Sequence, residues 1–244
     1  QAFLTPILFD PALYAKRVNQ DPATGLIEGS ACNYYLNVST PEAEKFYAAM
    51  ADPKYPHPIS YGLNSLLEKQ DGRLKENVYK VGGLYSEAIE KVVYWLEKAA
   101  QVAETPEQQA HLNKLIEYYR TGSLKTWDEY NVLWVEDHST LTDYNNGFIE
   151  TYGDPLGLKA SWEATAQFKN TAATERAAII SRNAQWFEDH SPIDPRFRKA
   201  EVKGVSAKVI NVVQLGGDCF PTPPIGINLP NADWIRRDHG SKSV

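Results

Sequence analysis

Apolar positions over 84–103 recur at helical spacing. Ile89, Val92, Val93, Leu96, Ala99, Ala100 and Ala103 form one face, with Glu87, Glu90, Lys91, Glu97 and Lys98 mostly opposite. That pattern predicts an amphipathic helix. Thr105-Pro106-Glu107-Gln108 is a capping box with proline inside it. It opens a second helix that buries Leu112, Leu115, Ile116 and Tyr119 and ends at Gly122. Thr126-Trp127-Asp128-Glu129 opens a third, striped by Trp127, Tyr130, Leu133 and Trp134. Upstream, Thr40-Pro41 predicts an N-cap and first turn of a short helix burying Phe46, Tyr47 and Met50 and ending near Asp52-Pro53. Downstream, Ala173, Ala177, Ile180, Ala184 and Phe187 mark a helix over 171–189. Asn231 is the candidate cap of a last short helix reaching Asp238.

A second rhythm has period two. Segments 59–70 and 73–81 read as a hairpin about Asp71-Gly72. Segment 207–213, AKVINVV, reads as a buried strand. In the strand expected at 146–152, Phe148, Glu150 and Tyr152 alternate with Ile149 and Thr151. Glu150 and Tyr152 would then share a face, roughly 6.5–7 Å apart. Gly153-Asp154-Pro155 stops that strand, because proline gives no ladder donor and restricts its predecessor. Extended structure resumes over 159–168, which carries Glu163. An acid and a phenol aimed alike beside a tight turn can grip a polar ligand. On spacing alone the wet face of an antiparallel strand describes them better.

Composition narrows the function classes. The 244 residues are 43% hydrophobic and 23% charged, ordinary for a globular chain with a real core. A net charge of −6, without any basic run, argues against a nucleic-acid surface. No apolar run approaches the ~18–20 residues of a membrane span, so no membrane partner is expected. Two cysteines, Cys32 and Cys219, are too few for a disulfide framework and point to a reducing, cytoplasmic setting. The chain opens on Gln1 and its one methionine is Met50, which reads as a piece of a longer polypeptide.

Candidate chemistry is sparse. WVEDH at 134–138 and WFEDH at 186–190 suggest an acid–histidine metal site. Each lies at an expected helix C-terminus, however, where histidine complements the dipole. No HExxH, GxSxG, GxGxxG or P-loop occurs. Asn228-Leu229-Pro230-Asn231 is more suggestive: proline fixes the backbone between two carboxamides that suit the main chain of a bound peptide. An Asx turn followed by a helix cap explains the same residues.

FIETYGDPLG at 148–157, SWE at 161–163 and GINLPNADWIR at 226–236 resemble the dipeptidyl peptidase III family of zinc exopeptidases, in its bacterial branch. Segments 60–100, 183–192 and 203–210 extend the likeness over most of the chain. Gly153 departs from the arginine that members from higher organisms carry there. The resemblance implies an α+β fold: a mixed β-barrel-like lobe with surrounding helices, part of a two-lobed metallopeptidase. In that reading 1–160 is the barrel lobe, 161–203 a helical excursion toward the catalytic lobe, and 204–244 the return. The family binds zinc through an HExxGH helix and a later glutamate. This sequence contains no HExxGH, so zinc is expected in the complete enzyme and not on this chain.

By resemblance, Glu150 pairs with the α-ammonium of an oligopeptide substrate and Tyr152 donates to the developing oxyanion. Asn228 and Asn231 hold the peptide's first residues, and Glu163 is an acidic subsite residue. Alone, the chain is expected to bind peptides weakly and hydrolyse nothing, its partner being the zinc-binding lobe of the same polypeptide. A metal-free peptide-binding module and a glycan-binding or structural domain are the alternative classes. The last draws on the six tryptophans and fourteen tyrosines.

Overall fold

A computed structural model describes residues 2–10, 17–51, 53–202 and 208–243. In chain order the helices are α1 (Leu4–Phe9), α2 (Thr40–Ala48), α3 (Ser86–Gln101), α4 (Pro106–Thr121), α5 (Leu124–Glu136), α6 (Thr171–Arg182), α7 (Ala184–Asp189) and α8 (Asp233–Asp238). The strands are β1 (Tyr35–Leu36), β2 (Ser65–Gln70), β3 (Arg73–Val78), β4 (Thr142–Glu150), β5 (Ser161–Lys169), β6 (Ile210–Gly217), β7 (Asn228–Leu229) and β8 (Lys242–Ser243). The described strands form three sheets, ordered β1-β2-β3, β4-β5-β6 and β7-β8, and none closes on itself. The class is α+β.

Two compact units divide the chain. One comprises Gln1–Val93, Tyr118–Leu124 and Phe148–Trp162; the other comprises Tyr94–Glu117, Lys125–Gly147 and Glu163–Val244.

In the first unit β2 and β3 pair antiparallel, Gln70 opposite Arg73. The turn between them sets Asp71 at φ 49° and Gly72 at φ 76°, the left-handed pair that a two-residue hairpin requires. β1 joins β2 in parallel. Against this sheet α2 lays Ala43 and Tyr47, and with Ile27, Tyr35, Val38 and Leu67 they make a buried cluster. Phe46 and Met50 are only partly buried beside it. The cap of α2 is Ser39, one residue before the Thr40 expected from sequence. Its backbone N–H and hydroxyl both donate to Glu42, at 3.0 and 2.9 Å.

In the second unit α5 buries Trp127, Tyr130 and Trp134, while Leu133 of the expected stripe is exposed. α5 also buries Asp128, only 4% exposed, whose Oδ2 accepts no hydrogen bond among the described residues. Burial lifts this carboxyl to about 7, with the neighbouring Glu129 adding to the shift. A carboxyl raised in the fold favours the folded state below its ordinary range, and that advantage disappears as pH rises from about 4 to about 7. Asp128→Asn does not titrate, so its stability relative to the parent chain should climb by a few kcal/mol across that interval. Urea unfolding at pH 5 and pH 8 measures this, and a pH-independent difference would refute it.

Three expectations are corrected. Asn183 interrupts the helix expected over 171–189, giving α6 and α7, and neither buries a residue. Alanine supplies much of the expected stripe and little apolar area, and its larger members Ile180 and Phe187 are exposed. The strand expected over 207–213 lies at 210–217, with Ala207 outside the described residues, and is largely exposed. Among the described residues it is an edge strand, paired only with β5, so its valines do not have described sheet on both sides. Finally, α8 begins at Asp233 with Ala232 as its N-cap and no side-chain capping bond, so Asn231 is not the cap.

Candidate functional site

β4 ends at Glu150, and Tyr152 lies beyond it in a turn. The pleat argument for a shared strand face therefore does not hold. The Asp154 N–H instead donates to the Thr151 carbonyl at 3.0 Å and folds the chain around Tyr152. The Asp154 carboxylate then gathers the loop that follows. It accepts from the backbone N–H groups of Leu156, Leu158 and Lys159 at 3.2, 2.8 and 2.8 Å and from the Tyr35 hydroxyl at 3.0 Å. Such short Asp-to-backbone bonds are how this residue stabilises turns.

Lys159 anchors the loop's far end. Its side chain is fully buried, and Nζ donates to Tyr47 Oη at 2.6 Å and to Ser65 Oγ and O at 3.0 Å each. Tyr47 and Ser65 in turn donate to Glu76 Oε1 at 3.0 and 2.6 Å. The lysine charge is thus relayed to a carboxylate through two hydroxyls. Burial pushes the lysine down to about 8, against the pull of Glu76 and Asp154. The strand end and this pinned loop bracket Tyr152, whose side chain is 79% exposed.

Glu150 is half-buried, and its carbonyl accepts from Ser161 Oγ at 3.3 Å. Gly153 is buried, and a Cβ there would lie 3.3 Å from both Arg17 Nη2 and Tyr34 Oη. A side chain at 153 would need both to give way. The glycine is therefore matched to its surroundings here.

The other candidates belong to the second unit. Glu163 is 7% exposed in β5; its Oε1 accepts from Asn145 Nδ2 at 3.4 Å, and Cys219 Sγ approaches Oε2 at 3.7 Å. Thr165 ties Asn145 to Gln167 in the same net. Asn228 sits in β7 opposite Ser243, whose hydroxyl donates to its carboxamide oxygen at 3.1 Å. Asn231 is exposed between β7 and α8.

The two acid–histidine runs are structural. His190 stacks on Trp186 at 4.3 Å, and its Nδ1 lies 2.7 Å from the Trp186 carbonyl at the end of α7. Asp137 turns to His111 Nε2 at 3.3 Å, and His111 Nδ1 meets Tyr144 Oη at 2.7 Å. Burial outweighs the Asp137 bond and holds this imidazole toward its neutral form. Lys242 Nζ, also buried, donates to Asp143 at 2.9 Å and lies over the Trp134 ring. Among the described residues no group of three or more His, Cys, Asp or Glu is placed to hold a metal ion. The described residues therefore offer no cluster that fits a zinc site.

Sequence spacing had no access to His111–Asp137 or to Tyr47–Lys159, partners separated by 26 and 112 positions. The only local hint for Lys159 is a lysine amid LGLKASW directly after an Asp-Pro turn.

The sequence model of peptidase family M49 matches residues 58–244, well over half the chain. The chain belongs to peptidase family M49. All five candidate residues lie within the matched stretch. Dipeptidyl peptidase 3 of Homo sapiens is 29% identical over 162 residues, covering 66% of this M49 chain and 22% of the human protein. The Dictyostelium discoideum dipeptidyl peptidase 3 is 30% identical over 164 residues, covering 67% and 23%. The structure of DPP III from Caldithrix abyssi superposes with a TM-score of 0.71 at 21% identity, over 87% of this chain and 40% of that one. It shares the fold. This M49 chain thus spans less than a quarter of the length of the curated relatives named here.

Proposed function

We propose that this chain is the substrate-holding part of a dipeptidyl peptidase III-type metallopeptidase, which releases dipeptides from the free N-terminus of oligopeptides. The observation that carries this reading is the M49 match across the stretch holding both FIETYGDP and GINLPN. In it, the Glu150 carboxylate receives the peptide's α-ammonium through a charge-assisted hydrogen bond. The Tyr152 hydroxyl, presented on its exposed turn, donates to the carbonyl oxygen as negative charge develops there. Asn228 and Asn231 offer carboxamides to the main chain of the first residues, and Glu163 contributes an acidic subsite.

Zinc belongs to the complete enzyme in this reading. The present sequence has no HExxGH, and no step through the metal is assigned to its residues. The chain would then be a barrel-like lobe over 1–160 and 204–244 with an excursion at 161–203, facing a zinc-binding lobe of the same cytoplasmic polypeptide. By itself it would bind peptide weakly without hydrolysing it.

Titrating the chain with tetra-alanine and its N-acetylated counterpart tests the Glu150 assignment. Affinity in the millimolar range that falls about tenfold or more on acetylation is expected, a loss in keeping with one charge-assisted bond. Equal affinities would remove Glu150 as the ammonium partner. If the acetylation effect appears and the complete reading frame carries no HExxGH, a metal-free peptide-binding module replaces the peptidase.

A further inference from the structure

An aromatic cleft of about 470 Å³ opens within the first unit, within the size range of ligand clefts. Tyr34, Tyr79, Tyr85, Phe148 and Trp162 form much of its wall, and none of the described residues lining it carries a charge. It adjoins Glu150 in two ways. Phe148 precedes Glu150 by two positions in β4, one pleat repeat along the same strand face. Ser161, another lining residue, donates to the Glu150 carbonyl at 3.3 Å.

The cleft's walls are held in place. The Trp162 Nε1–H donates to Tyr119 Oη at 2.8 Å, satisfying the polar edge of the indole. Tyr79 packs its buried ring 5.0 Å from Phe148 and 5.2 Å from Tyr85. Tyr85 is unusual. It adopts φ 62° with its side chain 56% exposed, a conformation that a bulky residue rarely takes without constraint. Its carbonyl accepts from the N–H groups of Ala88 and Ile89 at 3.1 and 3.0 Å, so the first turn of α3 fixes this backbone. Glycine or asparagine would sit there more easily. What tyrosine adds is a ring at the lip of the cleft.

The geometry points to this cleft as the receptor for the side chain of the peptide's N-terminal residue, selecting aromatic and large aliphatic residues there. The inference rests on Glu150 as the ammonium partner, because an ammonium held at Glu150 brings the adjoining side chain within one strand repeat of Phe148. A carboxylate entering the cleft would lose water and meet no cation among the described lining residues. An aromatic side chain would bury its faces against the surrounding rings.

The test compares binding of Phe-Ala-Ala-Ala, Ala-Ala-Ala-Ala, Asp-Ala-Ala-Ala and N-acetyl-Phe-Ala-Ala-Ala to this chain and to Tyr85→Asn, whose asparagine suits the positive φ. Phe-first peptide should bind about tenfold more tightly than Ala-first, with Asp-first weakest. Tyr85→Asn should reduce that preference, with Phe-first affinity falling several-fold more than Ala-first affinity. Equal Phe-first and Ala-first affinities, with binding still lost on acetylation, would overturn the cleft assignment and leave the Glu150 reading standing. A Phe preference indifferent to acetylation would overturn both, as would the absence of saturable binding by every peptide. A preference unchanged in Tyr85→Asn would remove the cleft as its source.

Discussion

Tyr152→Phe in the complete enzyme is expected to lower kcat by about 10²–10³ with KM nearly unchanged, the pattern of a donor used only in the transition state. The substitution removes one hydroxyl and keeps the ring. Because the side chain is 79% exposed, the change should leave the fold intact and its unfolding midpoint unmoved. The turn that carries the ring is fixed by Asp154 through backbone and carboxylate bonds that do not involve the phenol. Steady-state kinetics on a free-N-terminus tetrapeptide, paired with a denaturation curve, separates the outcomes. Parent-like kcat would take Tyr152 out of the mechanism. A loss confined to KM would make it a ground-state contact.

Lys159→Met should cost about 3 kcal/mol of stability, the scale of removing one member from a buried charged network. Methionine fills much of the same volume, so packing is largely preserved and the electrostatic part is isolated. What remains is a set of groups arranged for an ammonium: the Ser65 carbonyl loses its 3.0 Å donor, and Tyr47 and Ser65 keep their bonds to Glu76 with no cation behind them. Urea unfolding of the chain measures the difference. A change below about 0.5 kcal/mol, the ordinary range for surface substitutions, would show that the loop is held by Asp154 alone.

Where periodicity acts locally, the sequence anticipates the structure closely, although α5 begins at Leu124, ahead of the Thr126 expected to open it. Segment 84–103 becomes Ser86–Gln101, and the proline-containing cap at 105–108 opens Pro106–Thr121. The Asp71-Gly72 hairpin also forms as read, because its two left-handed residues specify the turn without outside help. The readings that fail depend on what lies beyond the segment. The valines of β6 read as buried until its edge position is known. The Glu150–Tyr152 alternation ran one step too far because Asp154 captures the Thr151 carbonyl and bends the chain early. The burial of Lys159 has no counterpart in the local pattern, because it follows from hydroxyls of residues 47 and 65 that spacing cannot bring near. Glu163 was legible as part of a motif, yet its enclosure by Asn145 and Cys219 was not.

That enclosure gives the chain a built-in chemical clock. Only two thiols are present, and Cys219, 1% exposed, approaches the Glu163 carboxylate at 3.7 Å. The sulfur is enclosed by the fold, so alkylation in the folded chain should wait for local opening. The rate at which iodoacetamide consumes this one sulfur therefore reads out how often the surroundings of Glu163 come apart. It does so without a mutation or an attached probe.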